Sequence, residues 1–450
     1  MNIGLMHYRV GETDGVSLEM EKWREVLEKA GHTVFFISGS SDYGEIYIPE
    51  MNLHSERFQK FVYNSFKDLK NFKGDSEFVN EILKEANVIE NKMIEVIKDC
   101  KIDLLIPNNI LSLGIGIPIA IALTNIIKKH KIKTIAHNHD FYWERPYMSN
   151  PTCGFIKRCL ERYFPPKDEN IKHIVINSIA RDELKRRKNI DSTVIPNVFD
   201  FKQPLWKIDE FNRDLRDRLS ISKNDIVFLH ATRVTERKAI EIAIKVVGEV
   251  NRRRHKLYGK LYNGKRFGEN DKIVMIVPGL IEAERRYVDF LKKVAREEDV
   301  EIKWCNSIMS AKRVERGSEK LYSLWDMYAI SDMITYTSIL EGWGNQFLEG
   351  IFSKKNMVVF EYPVYITDIK PLGFTVISLG GTYNHVLDSE GLEHIEIPEE
   401  KIISAAEEAI RVLKSSEEYY ERVEKNFELG EKYLSYEVLE KRIYELLSGF

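Results

Sequence analysis

Residues 333–349 read Met333-Ile-Thr-Tyr-Thr-Ser-Ile-Leu-Glu341-Gly-Trp-Gly-Asn-Gln-Phe-Leu-Glu349. This segment passes from a strand pattern to a helix pattern across a glycine-containing turn. Residues 334–337 are β-branched or aromatic, as in a strand, and a helix is predicted to start near Asn345. Strand, turn and helix in this order form the unit that builds helix-covered parallel sheets. The stretch therefore predicts an α/β fold.

The same alternation recurs along the whole chain in two series. The first series has predicted strands at 3–7, 33–37, 103–107, 133–137, 173–177 and 193–196, and the second at 226–230, 272–277, 301–304, 333–336, 357–360 and 375–378. A segment with prolines at both ends, Pro196 to Pro204, separates them as a hinge would. We predict two doubly wound domains, 1–203 and 204–430, and a C-terminal helix within 431–450 that packs near the domain junction.

Composition excludes several classes of protein. The 450 residues carry 67 Lys and Arg against 70 Asp and Glu, so no positive field is present to hold a nucleic acid. The four cysteines show no metal or disulfide spacing, which favours a reducing, cytoplasmic compartment. The longest apolar run, 110–123, is shorter than the roughly 20 residues of a membrane-spanning helix, so no transmembrane segment is predicted.

Residues 55–72 alternate phenylalanines with lysines in an amphipathic pattern. The pattern is typical of a helix packed on its own domain. It also fits a helix that touches a membrane surface or faces an acceptor, and peripheral membrane contact stays open at this point.

The turn after Glu341 predicts an anion site. A helix that starts near Asn345 leaves backbone N–H groups available, and its dipole favours negative charge. Carboxylates beside such a site, here Glu341 and Glu349, are suited to sugar hydroxyls. The alternative is a plain glycine turn in which Asn345 caps the helix and Glu349 is a surface acid.

A cationic motif, Thr232-Arg-Val-Thr-Glu-Arg-Lys238, directly follows the predicted strand 226–230. Open α/β sheets bind ligands at the carboxyl ends of their strands. Arg233 and Lys238 could therefore neutralise a diphosphate together. The alternative is a helix start held by salt bridges.

Two segments of the first domain are candidates for ligand contact. Gly15 follows the opening strand and would let the backbone approach a ligand, with Ser17 as a helix cap. The G-x-G-x-x-G fingerprint of dehydrogenases is absent there. Farther on, His137, His139 and Asp140 could bind a sugar, form a structural histidine cluster or hold a metal. Alternate strand residues point to opposite faces, which argues against the metal.

Taken together, these residues resemble the retaining, nucleotide-sugar-dependent glycosyltransferases of family 4, which have the GT-B fold. The resemblance covers most of the chain and rests on Asp14-Gly-Val-Ser17, Gly31-His-Thr-Val34, His139-Asp140, Ile195-Pro-Asn197, Arg233 with Lys238, Glu341-x7-Glu349 and Val358-Val-Phe-Glu-Tyr-Pro-Val364.

The resemblance implies a GT-B architecture in which two Rossmann-like domains face a central cleft. It implies that Arg233 and Lys238 hold the donor diphosphate and that Glu341 contacts the donor sugar. It also implies that Glu349 binds the nucleotide ribose and that the backbone amides around Asn345 and Gln346 help to hold sugar and phosphate. His139 would lie at the sugar and acceptor side, and Gly15 would approach the phosphates.

The reaction implied is transfer of a hexosyl unit from a UDP- or GDP-sugar to an acceptor hydroxyl with retained anomeric configuration. Front-face attack would let a departing phosphate oxygen accept the proton, and no metal or other cofactor is required. We expect a small soluble acceptor. Two departures from the family pattern occur: Asp14-Gly15 replaces a glycine pair, and Lys238-Ala239 replaces Lys-Gly.

Other activities fit the same architecture. A phosphorylase would cleave a disaccharide with phosphate, and a sugar-nucleotide epimerase would convert the donor without an acceptor. A non-catalytic sugar-nucleotide-binding protein is a further alternative, although the complete set of charged residues argues against it. The nucleotide base, the donor sugar, the acceptor and the oligomeric state are open from sequence.

Overall fold

The computed structural model describes residues 1–11, 15–40, 45–317 and 319–449. The chain divides into two compact units, one formed by Met1–Val198 with Tyr436–Phe450 and the other by Phe199–Ser435. The first division falls at Val198, five residues before the predicted boundary at 203, and the second falls after Ser435 where 430 was predicted.

The first unit contains a seven-stranded parallel sheet with the order β3-β2-β1-β4-β5-β6-β7. Its strands are β1 (Asn2–His7), β2 (Thr33–Ser38), β3 (Ile46–Tyr47), β4 (Leu104–Pro107), β5 (Lys133–Asn138), β6 (Ile171–Val175) and β7 (Ser192–Val194). Six of them lie within two residues of their predicted bounds. The two-residue edge strand β3 was not predicted, because so short a segment carries no periodicity.

Helices cover both faces of this sheet. They are α1 (Gly15–Lys29), α2 (Glu56–Phe66), α3 (Asp75–Asp99), α4 (Ile117–His130), α5 (Gly154–Tyr163) and α6 (Ser178–Lys188). Side chains of β4 alternate between two hydrophobic clusters: Leu104 and Ile106 pack on the α1 side, and Leu105 packs on the side of α3 and α4. This period of two explains the continuous apolar runs of the strands, since both faces are buried.

The second unit contains a six-stranded parallel sheet with the order β12-β11-β8-β15-β16-β17. The strands of this unit are β8 (Ile226–Leu229), β9 (Gly259–Lys260), β10 (Arg266–Phe267), β11 (Ile273–Val277), β12 (Glu301–Trp304), β13 (Val314–Arg316), β14 (Glu319–Leu321), β15 (Met333–Tyr336), β16 (Asn356–Val359), β17 (Ile377–Ser378), β18 (Asn384–Leu387) and β19 (Glu393–Glu396). Three antiparallel hairpins, β9–β10, β13–β14 and β18–β19, lie outside the sheet.

The helices of the second unit are α7 (Leu215–Arg218), α8 (Ile240–Arg252), α9 (Arg285–Glu297), α10 (Leu324–Ile330), α11 (Asn345–Phe352), α12 (Glu399–Lys414) and α13 (Ser416–Leu434). Helix α8 is buried along most of its length, from Ile240 to Val250. Both units are thus helix-covered parallel sheets, which confirms the predicted α/β class.

The amphipathic segment 55–72 forms α2, capped by Ser55 through a hydrogen bond from the Phe58 N–H. Its Phe58, Phe61 and Phe66 are buried in the hydrophobic core of the first unit. The apolar face of this helix is therefore used in packing, as the first of the two readings predicted. Of the helices described, none is long and apolar enough to span a bilayer.

The C-terminal helix α14 (Tyr436–Ser448) belongs to the first unit, although the chain reaches it through the second. Leu439, Ile443 and Leu446 are buried in the same cluster as Leu5 and Trp23. The helix therefore supplies one wall of the first core.

We expect Leu439→Ala to lower the free energy of unfolding by about 2–5 kcal/mol, because a buried leucine leaves a cavity when truncated. Thermal and urea unfolding would measure the change. Lys441→Ala, at an exposed position of the same helix, is the control and should stay within about 0.5 kcal/mol of the wild type. Equal effects of the two substitutions would contradict the assignment of α14 to the core.

Candidate active site

The main candidate site lies at the carboxyl ends of β8 and β15, which are neighbours in the second sheet. The cationic motif follows β8, and the Glu341 turn follows β15. Backbone contacts join the two loops, since the Ile339 N–H donates to the Arg237 carbonyl at 3.0 Å. The Thr337 hydroxyl donates to the carbonyls of Lys238 and Ala239, at 2.9 Å each. Two segments a hundred residues apart thereby form one surface.

A buried ion pair joins these loops. The Lys238 ammonium contacts the Glu341 carboxylate, and both side chains are about nine-tenths buried. Arg237 adds a second cation, with its Nη1 3.2 Å from Glu341 Oε2. Burial opposes ionisation of Glu341, but the charges of Lys238 and Arg237 outweigh it and lower the pKa of this carboxyl. The site thus carries one fixed negative charge between two positive ones.

The turn before α11 depends on Gly344. This residue has φ +117°, and a Cβ at its position would lie 2.3 Å from the Tyr362 hydroxyl and 2.8 Å from that of Tyr336. Gly344 also occupies the N-cap position, so the helix begins at Asn345 without a side-chain cap. The alternative in which Asn345 caps the helix is therefore wrong. The backbone N–H groups of the first turn of α11 thus lie at the end of the turn that carries Glu341, the place where a helix favours an anion.

Several buried polar atoms around this site have no hydrogen-bond partner within the described part of the chain. They are Thr235 Oγ1, Trp343 Nε1 and both amide atoms of the Gln346 side chain. Leaving a polar atom buried and unpaired costs about 1–3 kcal/mol. A cluster of such atoms beside an ion pair marks a place where a polar ligand can supply the missing partners.

Arg233 and Glu349 lie at the edges of the cluster. The Arg233 guanidinium pairs with Glu282 at 2.8 Å, and both side chains are about half exposed. Burial lowers the pKa of Lys238, and the positive charges of Arg237 and Arg233 lower it further, against the effect of Glu341. Glu349, on α11, accepts a hydrogen bond from the Tyr328 hydroxyl at 2.8 Å and is half-buried. The second unit therefore contains six of the predicted residues: Arg233, Lys238, Glu341, Asn345, Gln346 and Glu349.

Ala239 departs from the expected glycine without changing the loop. It adopts a left-handed conformation with φ +46° and is completely buried at the start of α8. An alanine in this conformation costs roughly 1–2 kcal/mol. The loop that carries Lys238 therefore keeps the backbone geometry that a glycine would favour.

The first unit contains the other two predicted residues, Gly15 and His139. The His139 Nε2 lies 3.0 Å from Asn108 Oδ1, and the backbone N–H of His139 donates to Asn109 Oδ1 at 2.8 Å. Burial, with the neighbouring His137 and His7, lowers the His139 pKa well below 6.5. His139 is therefore a neutral ring at pH 7. Its ring lies 3.9 Å from that of His137, centre to centre, so the two side chains share one face and the expectation that they point to opposite faces is wrong.

His137 has an environment without polar partners. Both its ring nitrogens are buried and lack hydrogen bonds among the described residues, and burial lowers its pKa to about 3. Its ring packs 4.8 Å from that of Trp23. Within the described ranges, no group of three or more His, Cys, Asp or Glu side chains is placed to hold a metal ion.

Gly15 is the first residue of α1, and residues 12–14 of the predicted loop lie outside the described residues. Ser17 is inside the first turn of this helix, and its hydroxyl donates to the Arg9 carbonyl at 3.4 Å. The prediction that Ser17 is the helix cap is wrong, because the helix starts two residues earlier.

Three further residues shape the site, Arg237, Tyr328 and Trp343, and the sequence motifs assigned no role to them. Arg237 stands in the cationic motif itself, directly before Lys238, so its position was the available signal. Tyr328 and Trp343 gave no signal of this kind, since an aromatic side chain in an apolar segment reads as core.

The chain resembles known glycosyltransferases over nearly its whole length. It is 45% identical over 415 residues to the mannosylglucosylglycerate synthase of Petrotoga mobilis, which is 92% of this chain and 93% of that protein. It is 38% identical over 442 residues to the enzyme of the same name from Thermotoga maritima, 98% of each chain. No family model matches the sequence.

A glycosyltransferase of Rickettsia africae is similar in structure, with a TM-score of 0.63, 14% sequence identity and coverage of 99% of this chain and 97% of that one. At this identity the likeness concerns the fold alone. It confirms that the two parallel-sheet domains are those of the GT-B class.

We expect the contribution of Glu341 to stability to depend on pH. Because its folded-state pKa lies below 4.5, the ion pair is complete above pH ~4.5 and is lost as the pH falls through the folded-state value. At pH 7, Glu341→Gln should lower the free energy of unfolding by about 3 kcal/mol, since Lys238 keeps a buried charge. At a pH low enough to protonate Glu341 in the folded state, the wild type and the variant should converge.

Urea unfolding followed by tryptophan fluorescence would measure this difference. Glu282→Gln is the matched control, because the exposed pair with Arg233 should contribute less than about 1 kcal/mol at either pH. A stability gap between Glu341→Gln and the wild type that is the same at both pH values would refute the ionised pair.

Proposed function

The chain belongs to the mannosylglucosylglycerate synthase family of glycosyltransferases, and we propose that it transfers a mannosyl unit from a nucleoside diphosphate sugar to a hydroxyl group of glucosylglycerate. The anomeric C–O bond to the diphosphate breaks, and a new C–O bond to the acceptor oxygen forms. The proton of that hydroxyl passes to a departing phosphate oxygen. The product matches the one in the names of the two relatives.

The observation that carries the proposal is the buried pair of Lys238 and Glu341 beside unpaired polar atoms of Thr235, Trp343 and Gln346. A diphosphate would receive charge-assisted hydrogen bonds from Lys238, and the start of α11 would add its backbone donors. Donors fixed before the reaction stabilise the leaving diphosphate with little reorganisation. Arg233 and Arg237 extend the positive surface around it.

The two carboxylates are suited to hydroxyl groups. Glu341, held ionised by its cationic neighbours, can accept hydrogen bonds from the donor hexose. A hydrogen bond from the Tyr328 hydroxyl holds the Glu349 carboxylate in place. We propose that this carboxylate binds the ribose of the nucleotide. His139, a neutral ring, is proposed to position the sugar or acceptor through hydrogen bonds.

We further propose that transfer retains the anomeric configuration, needs no metal ion and takes place in the cytoplasm. Support for the last point comes from Cys100, Cys153, Cys159 and Cys305, all free thiols. Support for the mechanism is the resemblance to retaining enzymes of family 4 together with the cations around Glu341.

The direct test is incubation of the purified protein with GDP-mannose or UDP-mannose and glucosylglycerate. Mass spectrometry would detect the mannosylated product, and NMR would give the configuration of the new bond. A reaction without acceptor tests for epimerase activity, which would convert the donor alone. A reaction with phosphate and the mannosylated product tests for phosphorylase activity, which would cleave that product. Donor binding without any product over this panel would favour a non-catalytic binding protein and contradict the proposal.

We expect Lys238→Ala and Glu349→Ala each to lower kcat/KM for the donor by about 100- to 1,000-fold, the loss typical of one preorganised contact to a transition state. Steady-state kinetics would measure this. Lys293→Ala, an exposed lysine on α9, controls for a general loss of positive charge. Turnover at the wild-type rate in both site variants would remove these residues from the donor site.

Chelation tests the role of the cations in place of a metal. With excess EDTA, the rate should stay within about twofold of its value without chelator, because the charge of the diphosphate is met by protein cations. A rate that falls to background in EDTA and returns with added Mg²⁺ or Mn²⁺ would contradict metal-independent transfer.

A further inference from the structure

A pocket of about 280 Å³ lies within the first unit, between α2, α3 and the start of α4. Its walls include Arg57 and Phe58 from α2, Glu85 from α3 and Gly116 directly before α4. None of the residues proposed to hold the donor is among the residues that line this pocket.

The pocket lies at the edge of the sheet where ligands bind. Helix α4 follows β4, and Tyr8 directly follows β1, so both lie toward the carboxyl ends of parallel strands. The two meet at Gly116, where a Cβ would come within 2.6 Å of the Tyr8 hydroxyl. Tyr8 is 1% exposed, and burial raises the pKa of its hydroxyl against the effect of a hydrogen bond with the Gly116 backbone.

Two carboxylates line this pocket. The Glu85 side chain is 3% exposed and forms an ion pair with Arg57, whose own side chain is 56% exposed. Glu50 pairs with Lys92 through Oε1 at 2.6 Å. The other oxygen, Glu50 Oε2, is buried without a partner in the described structure. The pocket thus offers hydrogen-bond acceptors deep inside and one guanidinium that reaches solvent.

Apart from Ser55, the remaining side chains of the lining are apolar, with Phe58 and Phe61 from α2 and Ile89 from α3. Carboxylates that accept from hydroxyl groups, next to aromatic side chains that pack on C–H surfaces, suit a neutral hexose. A diphosphate does not suit it, because burial and the charge of Glu50 already raise the pKa of Glu85 against the effect of Arg57. A further negative group inside would meet like charges.

We propose that this pocket binds the acceptor, with Glu50 and Glu85 holding hydroxyls of its glucosyl ring and the exposed Arg57 guanidinium pairing with its glycerate carboxylate. The proposal rests on the proposed function for the identity of the acceptor. It separates the two recognition tasks, since the ring is held by buried acceptors and the carboxylate by a cation at the rim.

The experiment compares two acceptors with two variants. Glucosylglycerate carries the carboxylate, and glucosylglycerol is the same ring without it. Glu85→Gln should raise KM about 10-fold or more for both acceptors. Arg57→Gln should raise KM for glucosylglycerate by a similar factor and leave KM for glucosylglycerol within about twofold. KM for the mannosyl donor should stay within twofold of the wild type in both variants.

Glu81→Gln is the matched control, since Glu81 lies one turn before Glu85 on α3 with a side chain 41% exposed. It should leave every KM unchanged. Circular dichroism and thermal unfolding would establish that each variant folds. If Glu85→Gln, or Arg57→Gln, which leaves the buried Glu85 without its cation, does not fold, the double variant Arg57→Gln/Glu85→Gln takes its place and should lose affinity for both acceptors.

The outcomes separate this inference from the proposed function. If the wild type makes no mannosylated product, the proposed function fails, and calorimetric titration of the wild type with glucosylglycerate then tests the pocket alone. If the wild type is active and folded Glu85→Gln and Arg57→Gln keep wild-type acceptor KM values, the pocket is not the acceptor site. Equal loss with both acceptors in Arg57→Gln would overturn the assignment of the carboxylate to Arg57.

Discussion

The buried contact between Lys238 and Glu341 is the constraint on which the candidate site depends. Neither charge would be stable alone at nine-tenths burial, because removing an ion from water costs several kcal/mol unless an opposite charge is close. The pair fixes the loop after β8 against the loop after β15. It also keeps a cation and a carboxylate ready in a place poor in water, where each acts more strongly on a bound ligand.

The two units share one plan but differ in the charge at the carboxyl ends of their strands. In the second unit, cations dominate around Glu341, which suits a diphosphate. In the first unit, neutral side chains such as His139 and Asn108 lie at the corresponding edge, and acidic Glu50 and Glu85 line the nearby pocket. This division agrees with a donor held mainly by one domain and a neutral sugar ring held by the other.

Most of the fold could be predicted because parallel sheets buried on both faces leave a local signal in the chain. The strand at 333–336 and the helix start at Asn345 were located by residue type and by Gly344. The edge strand β3 and the hairpins β9–β10 and β13–β14 were not predicted because strands of two or three residues carry no period. The four-residue strands β18 and β19 were not predicted either. The helix start at Gly15 was misplaced to Ser17, since a serine has the chemistry of a cap wherever the helix begins.

The class of fold, the order of strands and helices, and the charged residues at the carboxyl ends of strands could be inferred from the amino-acid sequence, because these properties depend on neighbours in the chain. Which of those charges meet depends on how the strands are arranged in the folded protein. Lys238 and Glu341 are 103 residues apart, and they touch because β8 lies beside β15, an order set by packing of whole elements. The same packing turned Arg233 toward Glu282 and brought α2 and α3 together around Glu85.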